Sequence, residues 1–558
     1  MIDPALAAAV RAWIDADPDP HTRAELEALL AADDASALAD RFAGPLEFGT
    51  AGLRGALGGG PSRMNVAVVR AAARGLATFL LEARSGAAER GVVIGYDARH
   101  QSREFAHDSA AVLAAAGLRV HLADRCWPTP VTAFAVRHLG AAAGVMVTAS
   151  HNPAPDNGYK VYEGNGAQIT APVDTEIASH IASAGPATEI PLAHDSSRIG
   201  AIGDDVIGAY LDEALATVPY AGPRAVRIAY TPLHGVGRDV LLPLFARAGF
   251  DAPVVVAEQS EPDPDFPTTV FPNPEEPGAL DLAFATAQRT GADIVLANDP
   301  DADRLAVAVP TTDGYRRLTG DELGALLAEW LLRRGSGTDR LAVTTIVSST
   351  LLDRIAAAHG ASSARVLTGF KWIARAVEDR PTLRFVCGYE EALGYAIGPH
   401  ARDKDGLTAA LAVAAMTAEL LAAGRTLTDA LDDLARVHGV HATSQWSVRF
   451  EGAAGAAEMS ALMQRVRSAP PASLGGVEVA AVTDFLAPTT GLPAADVVQL
   501  DLADSSRVLI RPSGTEPKLK CYFEVVEPVG ADVASARAAA ERRLATLRAD
   551  VGAATGLR

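Results

Sequence analysis

Three times along this chain an apolar strand gives way to a polar loop, an amphipathic helix ending near glycine, and a second strand, which restricts the fold to α/β domains built on one repeated plan. The first pass runs through Val92-Val93-Ile94-Gly95-Tyr96-Asp97, a helix over Val112-Leu113 to Gly117, and Leu118-Arg119-Val120. The second runs from Val226-Arg227-Ile228-Ala229-Tyr230 through Leu241-Leu242 and Phe245 to Gly249 and Val254-Val255-Val256. The third runs from Ala342-Val343-Thr344-Thr345-Ile346-Val347 through Leu351-Leu352 and Ile355 to Gly360 and Ala364-Arg365-Val366-Leu367. Each pass then reaches a further strand that ends in an unusual loop: Thr148 to Pro153, Asn298 to Arg304, and Gly388 to Gly394. Ligands of open α/β sheets gather beyond the carboxyl ends of strands, so these equivalent loops could converge on one cleft.

The ends of the chain break the plan. Residues 1 to about 40 have helical spacing (Leu26, Leu29, Leu30) and read as a surface arm. The last 110 or so alternate, as in Val508-Leu509-Ile510 and Cys521-Tyr522-Phe523-Glu524-Val525-Val526, with a helix expected over Ala534 to Ala549. The expected fold is therefore α/β: three topologically similar α/β domains plus a smaller C-terminal α+β domain. The expected division is 1–204 (arm and first domain), 205–320, 321–440 and 441–558, with linkers near Gly203-Asp204, Thr319-Gly320 and Gly439-Val440.

Charge excludes one class of partner. Lys+Arg 49 against Asp+Glu 68 leaves a net charge of -19, with no basic run able to track a nucleic-acid backbone, although a locally positive cleft can still capture a small anion. The start, Met1-Ile2-Asp3-Pro4, lacks a basic region, so no signal peptide is expected, and the longest apolar run, Leu407 to Leu421, carries Glu419 and falls short of a membrane span. Three distant cysteines, Cys126, Cys387 and Cys521, fit buried thiols in a reducing compartment. A cytoplasmic protein is expected, with no nucleic-acid or membrane partner; oligomeric state is not readable.

The loops carry the chemistry. Val145-Met146-Val147-Thr148-Ala149-Ser150-His151-Asn152-Pro153 drives a buried strand into a small polar turn, placing the Ser150 hydroxyl at a strand end; a serine needs a base, a cation or a phosphate to react. Asp299-Pro300-Asp301-Ala302-Asp303-Arg304 sets three carboxylates at i, i+2 and i+4, which share one face if the segment is extended. Such close like charges call for a cation, and an all-oxygen set suits a hard divalent ion, magnesium first. An EF-hand would need glycine next and glutamate at the twelfth position, where this chain has Arg304 and Pro310; a haloacid-dehalogenase phosphatase would want Thr or Val at Asp303. Glu390 and Glu391 are acceptors for sugar hydroxyls or an acid–base pair. Nearby Thr368-Gly369-Phe370-Lys371 and Arg402-Asp403-Lys404 offer lysines to an anion. Phe48-Gly49-Thr50-Ala51-Gly52-Leu53-Arg54-Gly55 presents Arg54 from a glycine-rich loop, and Arg511-Pro512-Ser513-Gly514-Thr515-Glu516-Pro517-Lys518 reads as a phosphate cradle in a strand–loop–helix setting.

Together and in this order, the Ser150, Asp299–Asp303, Glu-Glu and Arg511 motifs resemble the α-D-phosphohexomutase superfamily over nearly the whole chain. The resemblance implies the same four domains around a central cleft, a phosphorylated Ser150, and magnesium held by Ser150's phosphate with Asp299, Asp301 and Asp303. It implies sugar recognition at Glu390 and its neighbours, a phosphate site at Arg511, Ser513, Gly514 and Thr515, and a cleft lined by Arg54, His151, Lys160, Arg304 and Lys404. Ala392 departs from the serine many members carry, and Phe-Gly-Thr-Ala-Gly-Leu-Arg-Gly with Tyr-Glu-Glu-Ala-Leu-Gly-Tyr resembles the branch holding phosphoglucomutase-2 and phosphopentomutases. The implied activity moves a phosphoryl group between O1 and O6 of an aldohexose phosphate, through glucose 1,6-bisphosphate for glucose, with Lys160 or His151 as general base. The alternatives are a phosphopentomutase, a phosphatase, and a non-catalytic sugar-phosphate-binding regulator.

Overall fold

The computed structural model describes residues 2–48, 52–450, 455–487, 490–512 and 518–557. The chain divides into two compact units, Met1–Leu318 with Leu393–Glu419, and Thr319–Ala392 with Leu420–Arg558.

The arm is more than a surface feature. Its helices Pro4–Ala16, Pro20–Ala31 and Ala35–Arg41 close on a small core of their own, in which Val10, Leu26 and Leu38 are buried against Trp13 and Phe42. Asp19 and Asp34 cap the second and third helices by accepting from His21 N and Ala37 N, which satisfies amide groups that a helix start leaves open.

The first sheet contains β1 (Leu53–Ala56), β2 (Val92–Tyr96), β3 (Val120–Ala123), β4 (Ala143–Val147), β5 (Asp156–Glu163) and β6 (Ile199–Ile202), in the spatial order β1-β5-β4-β2-β3-β6. Strands β4, β2, β3 and β6 run parallel, and β5 turns back antiparallel on β4 with Met146 opposite Lys160. β2 and β4 are buried throughout, which is why both read as unbroken apolar runs. The second sheet repeats the plan with β7 (Ile228–Thr231), β8 (Val254–Val255), β9 (Ile294–Asn298), β10 (Leu305–Thr311) and β11 (Gly314–Arg317), ordered β11-β10-β9-β7-β8. Here too a buried strand, β9, has a parallel neighbour on one side and an antiparallel partner, β10, on the other. The serine and aspartate loops are thus the same structural object, the connection between the last parallel strand and its antiparallel return.

In the second unit β12 (Arg340–Thr345) lies between β13 (Ser362–Val366) and β14 (Arg384–Glu390), parallel to both. The apolar run expected to end this strand at Val347 leaves it after Thr345: Ile346 and Val347 turn outward and bury against Phe485, Val497, Leu509 and Tyr522 of the C-terminal domain. The chain returns to the first unit for β15 (Gly394–Ile397) and helix Gly406–Ala422, which is buried from Gly406 to Ala418. Among the described residues no single helix is long and apolar enough to cross a membrane.

The C-terminal sheet, β16 (Val440–Arg449), β17 (Ser473–Leu474), β18 (Val477–Asp484), β19 (Val498–Leu502), β20 (Arg507–Pro512) and β21 (Lys518–Glu527), is ordered β16-β21-β20-β19-β18-β17 and covered by helix Val533–Thr555, about two turns longer than expected. One expectation fails. The Arg511–Lys518 loop joins the antiparallel strands β20 and β21, so it is a hairpin connection and not a strand–loop–helix turn.

Gly95, at the centre of β2, shows how tightly the first sheet is packed: an added Cβ would lie 2.1 Å from Thr132 Oγ1 and 2.3 Å from Trp127 Nε1, which hydrogen-bond each other at 2.8 Å. Gly95→Ala is expected to cost about 1–3 kcal/mol. A denaturant midpoint equal to wild type would show that the sheet yields more readily than this packing implies.

Candidate active site

Ser150 stands just past β4 in the left-handed region, φ +54°, a conformation that costs an L-residue energy unless its surroundings hold it. Its amide donates to Thr148 Oγ1 at 2.8 Å, and its hydroxyl donates to Asp299 Oδ2 at 2.8 Å, with His151 Nδ1 3.1 Å from the same oxygen. One hydroxyl therefore touches both a carboxylate and an imidazole, and it is 1% exposed.

The aspartate loop is a tight turn, not the extended segment the spacing suggests: Ala302 adopts φ +57° and Ala302 N donates to Asp299 O at 2.8 Å. The curl still gathers the three carboxylates, with one oxygen of each within 4.8 Å of the others, all fully buried. Lys160, on β5, explains how this is tolerated. Its Nζ bonds Asp301 Oδ2 at 2.7 Å and Asp303 Oδ2 at 2.8 Å, and Lys404 Nζ lies 3.2 Å from Asp303 Oδ2. Burial alone would push the Asp301 and Asp303 pKa values up, but Lys160, helped by Thr129 at Asp301 and by Lys404 and Arg304 at Asp303, more than compensates and holds both below the usual carboxylate range. Asp299 has no lysine, and burial together with Asp301 and Asp303 drives its pKa well above that range. Burial works against the Lys160 ammonium too, yet Asp301 and Asp303 keep its pKa above the ordinary lysine value. Burial, reinforced by Arg304 and Arg54, holds His151 well below the ordinary histidine value, so its imidazole is neutral.

The cluster fits a divalent cation. Asp301 Oδ1 and Asp303 Oδ1 are buried and carry no hydrogen bond, each being the oxygen opposite the one on Lys160. Buried acceptors of this kind are costly when left unmatched, and an all-carboxylate donor set is what a hard cation takes. A phosphoryl group on Ser150 would add about -1.5 to -2 charge beside Asp299 and strengthen that demand.

Of the other residues expected in the site, Arg54, on β1, reaches Asn152 Oδ1 at 3.4 Å, and Arg304 N donates to Asp299 Oδ1 at 3.0 Å. Gly52 has φ +89°, and a Cβ there would lie 2.3 Å from Tyr159 O, so glycine is required for β1 to approach β5; Gly49, Thr50 and Ala51 lie outside the described residues. Lys404 is set by Asp403, which accepts from Tyr162, Gln168 and the Lys404 amide. In the second unit, Glu390 Oε1 accepts from Gly369 N at 2.7 Å, while Glu391 Oε2 accepts from Ser348 Oγ at 3.1 Å and Thr345 Oγ1 at 3.3 Å. Lys371 lies in the first turn of helix Phe370–Glu378. Arg511 and Lys518 flank the β20–β21 connection, whose Ser513, Gly514 and Thr515 lie outside the described residues.

Sequence reading missed several contacts. Thr129, at the start of helix Thr129–His138, donates to Asp301 Oδ2 at 2.6 Å, and Asp97 and Arg99, past the end of β2, bind the serine loop from behind. The place of Asp97 and Arg99 just past a buried strand marked the segment, though not what it binds, and Thr129 carried no such mark. The proline-rich stretch from Glu261 to Gly278 brings Phe271 to 6.4 Å from the His151 ring, and nothing in its composition announced that.

A serine hydroxyl beside three buried carboxylates that could hold a metal ion, carried by repeated α/β domains, points to a class of phosphoryl-transfer enzyme. The chain matches the descriptions Phosphoglucomutase/phosphomannomutase, alpha/beta/alpha domain I, II and III, over residues 45–187, 209–314 and 319–437, and the C-terminal domain over 476–540. It is 40% identical to a "Probable phosphomannomutase" of Haemophilus influenzae, over 83% of this chain and 93% of that one, and 34% identical to the "Phosphopentomutase" of Homo sapiens, over 93% and 91%. The structure of a phosphoglucomutase/phosphomannomutase family protein from Burkholderia thailandensis superposes with TM-score 0.68 at 21% identity, covering 90% of this chain and 97% of that one. The chain belongs to the phosphoglucomutase/phosphomannomutase family and is a phosphomutase.

Lys160→Met leaves two buried carboxylates without their shared ammonium and is expected to cost about 3–5 kcal/mol in chelator. Added magnesium should recover more stability in the variant than in wild type. A variant as stable as wild type in chelator would remove Lys160 from this role.

Proposed function

We propose that the protein interconverts 1-phospho and 6-phospho aldohexoses, glucose first and mannose second, through phosphoserine 150 and a sugar bisphosphate, glucose 1,6-bisphosphate for glucose. The observation that carries this reading is Ser150 Oγ lying 2.8 Å from Asp299 and 3.1 Å from the neutral His151, with Asp301 and Asp303 beside it. An intact hydroxyl and three intact carboxylates argue against a non-catalytic sugar-phosphate regulator.

In this reading Ser150 carries the phosphoryl group that passes to the free sugar hydroxyl and returns from the other end of the bisphosphate. Asp299, Asp301 and Asp303, with the phosphoserine, would hold magnesium, which neutralises charge on the transferring group when bound. His151, being neutral, can accept the hydroxyl proton, whereas Lys160, held as an ammonium by Asp301 and Asp303, is the weaker of the two candidate bases. Arg54 and Arg304 supply fixed positive charge near Ser150. Glu390 and Glu391 receive sugar hydroxyls, with Gly369 holding Glu390 in place. Arg511, Ser513, Gly514, Thr515 and Lys518 grip the phosphate that is not reacting, while Lys371 and Lys404 offer positive charge to the anionic ligand. The domain limits we assign are 204/205, 320/321 and 440/441. Three cysteines without disulfides support a cytoplasmic, reducing location.

Ser150→Ala is expected to abolish mutase turnover with the fold retained, and intact mass should show one phosphate on wild type incubated with glucose 1,6-bisphosphate and none on the variant. Turnover in phosphate-free Ser150→Ala would sink the mechanism.

A pentose phosphate is the second reading, favoured by Ala392 and by the human phosphopentomutase that the chain matches over nearly its full length. Losing one hydroxyl contact costs roughly 0.5–1.5 kcal/mol, or about tenfold, so hexose discrimination should be modest. Comparing kcat/KM for glucose 1-phosphate, mannose 1-phosphate and ribose 1-phosphate decides between them. A pentose preference of about a hundredfold would overturn the hexose assignment.

A further inference from the structure

We propose that Arg99 is a positioning residue that holds the Ser150 loop in its left-handed, reactive conformation, and that Phe266 holds Arg99 in turn. The inference rests on Ser150 being the phosphoryl carrier, and it concerns what keeps that carrier aimed.

Arg99 follows β2, is 4% exposed, and spends both of its Nη groups on one loop, with Nε 3.6 Å from Asp97 Oδ2. Its Nη2 donates to Ser150 O at 2.7 Å and to Asn152 O; its Nη1 donates to Pro153 O at 2.8 Å and Asp156 O at 3.0 Å. A turn this tight points its carbonyls inward, where neither helix nor strand supplies donors, and buried carbonyls must be paired. One planar fork pairs all four. A lysine, with a single charged point on a flexible stem, cannot span them.

The opposite side of Ser150 is held by the same short segment. Asp97 Oδ2 accepts from Thr148 Oγ1 at 2.6 Å, and Thr148 Oγ1 accepts from the Ser150 amide at 2.8 Å. Asp97 Oδ1 accepts from Ser102 Oγ at 2.6 Å and from Arg99 N at 3.0 Å. The Ser150 amide is therefore gripped through Thr148 and its carbonyl directly by Arg99. A non-glycine residue at φ +54° persists only where its surroundings over-determine it, and these two contacts meet that condition.

Phe266 closes the arrangement from the second α/β domain. Its ring centroid lies 4.9 Å from Arg99 Cζ, whose N–H bonds to the four carbonyls leave the guanidinium face open to it, and its neighbour Asp265 meets His100 Nε2 at 2.7 Å. The loop carrying Phe266 also carries Phe271, beside His151. The second domain, which supplies the carboxylates, thus also supplies the backing for the serine loop.

The test uses full-length enzyme with Arg99→Lys, Arg99→Gln and Phe266→Leu. For each, kcat and KM with glucose 1-phosphate are measured beside the rate at which phosphate-free enzyme acquires a phosphoryl group from glucose 1,6-bisphosphate, followed by intact mass. Both Arg99 variants should lose about a hundredfold in kcat and in the phosphorylation rate, with KM within about twofold, since a misaimed nucleophile costs that much without touching substrate binding. Lysine should not rescue. Phe266→Leu should lose about tenfold in kcat with KM unchanged, and it decides the matter if the Arg99 variants do not fold. Wild-type phosphorylation rates in folded Arg99 variants, a loss confined to KM, or wild-type kcat in Phe266→Leu where it must decide, would overturn the proposal. Wild-type enzyme that fails to take a phosphoryl group on Ser150 would overturn the mutase reading instead, so the two failures are told apart.

Discussion

Three carboxylates in a dry interior are the constraint on which the first unit depends. Charges buried without partners cost several kcal/mol each, so the chain must bring cations to Asp301 and Asp303 from elsewhere. It brings Lys160 on β5 and Lys404 on the segment that follows β15. The second delivery explains why that segment returns to the first unit. Asp403 is fixed by Tyr162 and Gln168, and Asp405 is fixed by Tyr210 and His400 while its Oδ1 accepts from Leu407 N and Thr408 N at the start of helix Gly406–Ala422. Lys404, between these two anchored aspartates, has little freedom left. Pairing a charge at the site thus dictates where a later helix begins.

The same economy governs the reactive loops. Both leave a buried parallel strand and both bend through a non-glycine residue at positive φ, Ser150 in one and Ala302 in the other. Each bend does chemical work: the first turns a hydroxyl toward Asp299, the second folds an i, i+2, i+4 series back on itself so that its carboxylates converge. A straight strand end would have spread them over more than 13 Å or so, at about 3.3 Å per residue.

What the sequence made legible follows from this physics. Strands buried on both faces have no polar alternation, so β2, β4, β9 and β12 stood out, and the loops after them were found because a polar run after such a strand must lie at its end. Apolar character alone did not set where a strand stops: Ile346 and Val347 continue the run of β12 but serve a different interface. The Arg511 loop was placed before a helix because Ser, Gly and Thr suit a hairpin turn and a phosphate cradle equally. Thr129 and Arg99 escaped notice for a different reason. Their partners are 172 and 51 residues or so away, Asp301 and Ser150, and no local pattern records a contact of that kind. Lys371 and Lys404 were alike in sequence as lysines offered to an anion, yet one lies in the first turn of a helix and the other on Asp303.

Two kinds of interaction therefore have different freedom to change. The residues around Ser150 are locked by charge: removing Lys160 strips Asp301 of its ammonium and leaves Asp303 only Lys404, at a cost of several kcal/mol. The residues assigned to the sugar act through single hydrogen bonds, such as one to the Glu390 carboxylate, or one missing at Ala392 where a hydroxyl would serve, worth roughly 0.5–1.5 kcal/mol for a neutral pair and about 1.5–3 to a carboxylate. A frame of this kind keeps its phosphoryl chemistry while a few substitutions move it from one sugar to another. That is why the reaction could be read from charged residues and their spacing, whereas the choice of sugar rests on contacts too weak to mark the sequence.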